Sequence, residues 1–165
     1  MKIIFNPAKI QELDEIMEIE NAGFNSEEAA SREAMQERIQ MIPDTFIVAH
    51  NENGKVLGYI VGPASKERYI TDDLFEKTIP NQTDQEYQTV LSLAVSPDYQ
   101  GAGIGGMLLD QLAKTAKKAG RSVITLTCLE RLQTFYENHG YVSEGVADSQ
   151  HAGEVWYNMV KELNN

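Results

Sequence analysis

The chain has 165 residues, which is one domain at about 100–200 residues per domain and too short for two nucleotide-binding halves plus a substrate domain. Hydrophobic residues are 42% and charged residues 24%, an ordinary globular balance that argues against disorder, and no apolar run approaches the roughly 20 residues of a membrane span. Lys and Arg total 14 against 25 Asp and Glu, so the net charge of −11 repels nucleic-acid backbones and suits, at most, a cationic partner such as an amine.

In chain order, Met1–Phe5 reads as a first strand. The stretch around it lacks the long apolar region and small-residue cleavage site of a secretory signal. Pro7 is expected to open a helix, whose inner face is Ile10, Leu13, Ile16, Met17 and Glu20. Gly23-Phe24-Asn25 breaks it, and Ser31–Ile42 gives a second helix that stops before Pro43. Thr45–His50 and Lys55–Val61 form an antiparallel hairpin about the turn Asn51–Gly54. Residues 63–85 are polar and irregular, with one helical turn near Asp72–Lys77, and irregular stretches of this length are often functional. Tyr87–Val95 is the most strand-like segment of the chain. Gly103–Lys118 is a helix with Ile104, Met107, Leu108, Leu112 and Ala116 on one face, stopped by Gly120. Ser122–Cys128 is a buried strand, Leu132–Asn138 a short helix, and Tyr141–Val146 with Val155–Leu163 the last two strands. Hairpins around one strand–helix–strand crossover predict a mixed α/β sheet with helices on both faces. Cys128 is the only cysteine, so there is no internal disulfide or cysteine zinc site; a reducing, cytoplasmic compartment is expected. No metal-ligand spacing is present, and His50, His139 and His151 read as isolated surface or turn residues.

The sharpest signal runs from Leu93 to Gly106: strand, turn, then Gln100-Gly101-Ala102-Gly103-Ile104-Gly105-Gly106 at the mouth of a long helix. Unpaired helix N–H groups and the positive dipole end suit an anion, and glycine lets the backbone approach it. The plainest alternative is a tight turn that permits close helix packing. A dinucleotide fingerprint also fits Gly101, Gly103 and Gly106, but the next strand ends Leu126-Thr127-Cys128 without the acidic ribose ligand. A nucleoside-triphosphate loop is excluded because no Gly-Lys-Ser/Thr follows.

Gln-x-x-Gly-x-Gly over Gln100–Gly105 resembles the coenzyme A signature of the GCN5-related N-acetyltransferase (GNAT) superfamily. Leu-Ala-Val-Ser-Pro-Asp-Tyr before it, and Phe135-Tyr136-Glu137-Asn138-His139-Gly140-Tyr141 after it, are similar to the flanking elements of that superfamily. The residues Lys66–Leu74 and Cys128–Leu132 are further similar to the arylalkylamine N-acetyltransferase branch and its bacterial relatives.

The resemblance implies a mostly antiparallel sheet of about seven strands, splayed between the fourth and fifth, in a single N-acetyltransferase domain over residues 1–165. It implies acetyl-CoA as cosubstrate and a small-molecule amine, arylalkylamine- or polyamine-like, as acceptor; protein acetylation and a catalytically weak CoA sensor stand as alternatives. A homodimer is compatible with it, and neither nucleic acid nor a membrane is expected as partner. Backbone amides of Gly101, Ala102, Gly103, Ile104, Gly105 and Gly106, with Gln100, would hold the diphosphate. Leu93, Ala94 and Val95 would run beside the pantetheine arm, with a β-bulge near Leu91–Leu93 opening the gap. Tyr136 would protonate the leaving thiolate. Vertebrate members of the arylalkylamine branch carry a His-x-His where this chain has Thr89 and Leu91, so Glu86 is the candidate base. Asp72, Asp73 and Glu76 with Tyr69 and Phe75 are candidates for an amine-binding lid, and Phe24, Met35 and Met41 for apolar substrate walls. Cys128, without a basic neighbour, reads as packing.

Overall fold

The computed structural model describes residues 1–149 and 151–163. Strand β1 (Ile4–Pro7) leads through a 3-10 turn to helix α1 (Leu13–Gly23) and then α2 (Arg32–Met41). Pro7 closes the strand rather than opening the helix. It lacks an N–H, and β1 is an edge strand paired only with β2 (Phe46–His50), so the missing donor costs the ladder little. Ser31 caps α2 by accepting a hydrogen bond from the Ala34 N–H at 3.1 Å. β3 (Val56–Val61) returns antiparallel to β2.

Alternate residues of the β2–β3 hairpin face opposite layers. Phe46, Val48, Tyr59 and Val61 pack against Ile16, Met17, Met35 and Ile39 of α1 and α2. Ile47, Ala49, Leu57 and Ile60 pack against Leu108, Leu109 and Leu112 of α4 (Ile104–Lys118). The expected two-faced arrangement follows from that alternation.

Nine strands are found among the described residues, where about seven were expected. One addition is the two-residue β4 (Ala64–Ser65), which precedes the one-turn helix α3 (Asp73–Glu76). The other arises because Tyr87–Val95 divides into β5 (Tyr87–Val90) and β6 (Ser92–Val95) at Leu91. β5 pairs in parallel with β7 (Val123–Cys128), whereas β6 pairs antiparallel with β3. The sheets run β1-β2-β3-β6 and β4-β5-β7-β9-β8, with β8 at Val142–Val146 and β9 at Tyr157–Glu162. The break is a β-bulge: Leu91 N–H donates to Val61 O at 2.8 Å, although Val61 is already the partner of Ser92. Beyond the bulge β6 and β7 part, which is the splay between the expected fourth and fifth strands.

Gly62 sits where β3 turns past β5. A Cβ there would collide with the Thr89 carbonyl, so only glycine allows the two backbones to approach. Gly62→Ala is therefore expected to destabilise the fold by about 1–3 kcal/mol, read as a lowered urea midpoint. An unchanged midpoint would show that the crossing relaxes freely.

Candidate active site

The glycine loop folds as a bare helix mouth. Gly101 (φ 86°) and Gly103 (φ 79°) adopt left-handed conformations with open space where a Cβ would stand. Gly103 is the N-cap of α4, and neither a capping side chain nor an acidic residue competes for the first-turn amides. Gly106 lies against His139, whose Cε1 would be 2.5 Å from an added Cβ. A groove of about 530 Å³ begins at this mouth and runs along β6; its lining includes Leu93, Ala94, Val95, Gln100, Gly101, Gly103, Ile104, Gly105, Gly106 and Tyr136. Ala102 is exposed and is not part of that lining. The Gln100 side chain turns back, its amide donating to Val95 O at 3.3 Å. It braces the end of β6, leaving the main chain to face the groove.

Ser96 N–H donates to Leu57 O at 2.7 Å, which sets the alternation of the antiparallel ladder. Ser92 and Ala94 exchange bonds with β3, so Leu93 and Val95 turn their N–H and C=O groups to the open edge. That edge faces the gap left by the departure of β7.

Tyr136, on α5 (Gln133–Glu137), closes the gap from the far side. Its ring meets Phe135 and Tyr141 edge-on, with centroids 5.1 and 5.6 Å apart. Burial, with a smaller effect from Cys128, raises its phenol above the ordinary range, so it remains a donor. The Cys128 thiol is also pushed up, to about 11, by burial and then by the Glu137 charge. It is a packed thiol, in line with the reading from sequence.

Across the gap lies a second cavity of about 100 Å³. It shares Leu93, Leu132 and Tyr136 with the groove, so the two spaces meet at the end of β6. Phe24, Phe75, Leu91 and Trp156 supply apolar walls, while Glu20, Glu28, Arg131 and His151 supply charge and proton-exchanging groups. The His151 ring stacks on Phe75 at 5.8 Å and 6°. Its carbonyl accepts the Trp156 Nε1–H at 2.8 Å. Ser149 Oγ donates to Asp72 at 2.8 Å, joining the 66–86 loop to the β8–β9 connection above the cavity.

The structure separates several candidates from this site. Glu86 stands before β5, at the end opposite the gap, and its carboxylate accepts the Ser122 Oγ hydrogen bond at 2.7 Å. It does not line the cavity, so geometry does not support it as the base. Thr89 is buried and donates to Pro63 O, and Leu91 lines the cavity as a wall. Of the expected lid only Phe75 reaches the cavity; Tyr69 bonds Glu144 instead. Phe24 lines the cavity, whereas Met35 is core and Met41 is exposed.

Arg131 and Trp156 were not singled out from sequence; His151 was read as an isolated surface or turn residue rather than a base, and the fold instead brings it to the cavity lining. Glu20 did leave a sign, being a carboxylate in the apolar stripe of α1. It is 1% exposed and held by the Tyr59 hydroxyl, Ala30 N–H (2.8 Å) and Ser92 Oγ (3.4 Å).

Gly103→Val should weaken binding of a diphosphate ligand such as CoA by about tenfold or more, because the branched side chain disfavours positive φ and misaims the amides. Calorimetric titration reads it, and an unchanged affinity would remove the loop from binding. The Cys128 thiol should react with a disulfide reagent at pH 8 at least about a hundredfold more slowly than a free thiol. Rapid reaction would contradict its burial.

The family model "Acetyltransferase (GNAT) domain" matches residues 12–163. An uncharacterized N-acetyltransferase, ycf52 of Porphyra purpurea, is 32% identical over 71 residues, which is 42% of this chain; the match spans only 38% of that relative's length. The loading GNATL domain of CurA from Lyngbya majuscula superposes with a TM-score of 0.84 at 14% identity, covering 99% of this chain and 98% of its own. The GphF GNAT-like decarboxylase in complex with isobutyryl-CoA gives 0.80 at 16% identity, covering 99% and 100%. With nearly its whole length under the family model, this chain belongs to the GNAT acetyltransferase domain family.

Proposed function

We propose that this chain is an acetyl-CoA-dependent N-acetyltransferase acting on a small primary amine, arylalkylamine- or polyamine-like, by direct attack without an acyl-enzyme. The observation that carries the reading is the junction at Leu93, Leu132 and Tyr136, where the groove and the cavity meet. A fold alone does not decide chemistry, as a decarboxylase of similar fold illustrates. Here the residues fit a CoA thioester: a bare helix mouth for the diphosphate, an open strand edge for the pantetheine amides, and a phenol at the end of that edge.

Acetyl-CoA supplies an activated carbonyl and a thiolate leaving group. The amides of the Gly101–Gly106 segment hold its diphosphate by charge-assisted hydrogen bonds. The outward N–H groups of β6 align the arm and polarise the carbonyl. Glu20 and Glu28 attract the acceptor's ammonium into the cavity. His151 takes the proton that frees the amine lone pair, directly or through one water, since it lines the cavity and an imidazole nitrogen can accept that proton. As the C–N bond forms and the C–S bond breaks, Tyr136 donates its hydroxyl hydrogen bond to the sulfur. The hydroxyl proton passes to the sulfur, the nitrogen's second proton returns through water to the Tyr136 phenolate, and His151 gives its proton to solvent, leaving CoA as the thiol and both side chains restored.

Tyr136→Phe is expected to lower kcat about 10²-fold with little change in CoA affinity, measured by thiol release and calorimetry. Unchanged turnover removes Tyr136 from the chemistry. A base must be unprotonated to act, so kcat/KM of the wild type should rise with pH along one limb, and His151→Gln should flatten that limb. A variant that keeps it assigns the base elsewhere.

A further inference from the structure

Arg38 on α2 is 1% exposed, yet most of its five N–H donors go unused. Its one hydrogen bond among the described residues is Nη1–H to the sulfur of Met35 at 4.0 Å, a weak acceptor, and Nε has no partner. A buried guanidinium in this condition is costly unless something meets it. Burial pulls it down from its ordinary range, with Glu20, then Tyr59 and Glu37, opposing. Neither carboxylate bonds to it. Glu20 is engaged by the Tyr59 hydroxyl, Ala30 N–H and Ser92 Oγ, and Glu37 accepts the Thr78 N–H at 2.6 Å.

Arg38 lines a recess of about 150 Å³. Glu20, Glu28, Phe75, Leu91, Ser92 and His151 line both this recess and the acceptor cavity, which makes the recess a side branch of it. The two spaces together carry two carboxylates, Glu20 and Glu28, and two guanidiniums, Arg38 and Arg131. A balanced lining complements a zwitterion, whereas a bare cation would leave the guanidinium unmet.

We propose that the acceptor amine also carries a carboxylate, and that Arg38 binds it in this recess. The planar fork of the guanidinium offers a carboxylate two parallel hydrogen bonds. This rests on the acetyltransferase reading above, keeps its primary-amine acceptor and replaces the arylalkylamine- or polyamine-like class with amino acids.

The test is thiol release with matched acceptors: phenylalanine against phenethylamine, tryptophan against tryptamine, lysine against cadaverine. In at least one pair the amino acid should show kcat/KM about 10–100-fold higher than its decarboxylated partner. Arg38→Met, of similar length, should collapse that ratio toward one, and Arg38→Lys should restore part of it. Should Arg38→Met fail to fold, the wild-type ratio decides, with the thermal shifts produced by the two members of each pair in the presence of CoA as a second reading. Faster reaction of the decarboxylated amine in every pair, or a ratio unmoved by Arg38→Met, overturns the proposal while leaving amine acetylation standing. Turnover of no acceptor in any pair overturns both.

Discussion

A strand has two edges, and the chain from Tyr87 to Val95 changes how it uses them at Leu91. Before the bulge, β5 pairs on both sides, with β4 and β7. After it, β6 pairs only with β3. Backbone N–H and C=O groups seldom stay unpaired away from water, so a half-paired strand in the middle of a domain is a standing demand for a partner. The same strand runs into the glycine loop within a few residues. An extended ligand with a phosphate end and amide groups along its arm would meet both demands in one line, which is why the site depends on this break more than on any single side chain.

The opposite wall is set by a different compromise. α1, β3 and α2 bring a carboxylate, a phenol and a guanidinium, Glu20, Tyr59 and Arg38, into an otherwise apolar layer. Burying charge there is unfavourable unless hydrogen bonds offset it. They do so for Glu20 and leave Arg38 short. Such unevenness is more readily explained by a ligand group than by stability, because replacing a buried charge cluster by apolar residues is often neutral or stabilising.

Most of the architecture was legible in the sequence. The stripe of Ile104, Leu108 and Leu112 marked α4, Ser31 marked the start of α2, and the bulge was placed to within a residue. The glycine loop carried its meaning locally, since φ and amide exposure are properties of a few consecutive residues. The acceptor side was not legible in the same way. Glu20, Phe75, Leu91, Tyr136 and His151 come from five separate parts of the chain, and only the fold brings them to one space. Glu86 shows the converse error. Adjacency to the right strand does not say which end of it, and the four residues of β5 carry Glu86 to the wrong one. Pro7 misled because a residue without an N–H suits an edge strand as well as a helix start.

The most direct test of the central claim is a crystal structure of this chain with CoA. The diphosphate should lie on the amides between Gly101 and Gly106, with the pantetheine arm along the outward edge of Leu93 and Val95 and its sulfur beside Tyr136. A diphosphate bound away from the helix mouth, or an arm that leaves the β6 edge unpaired, would contradict the account.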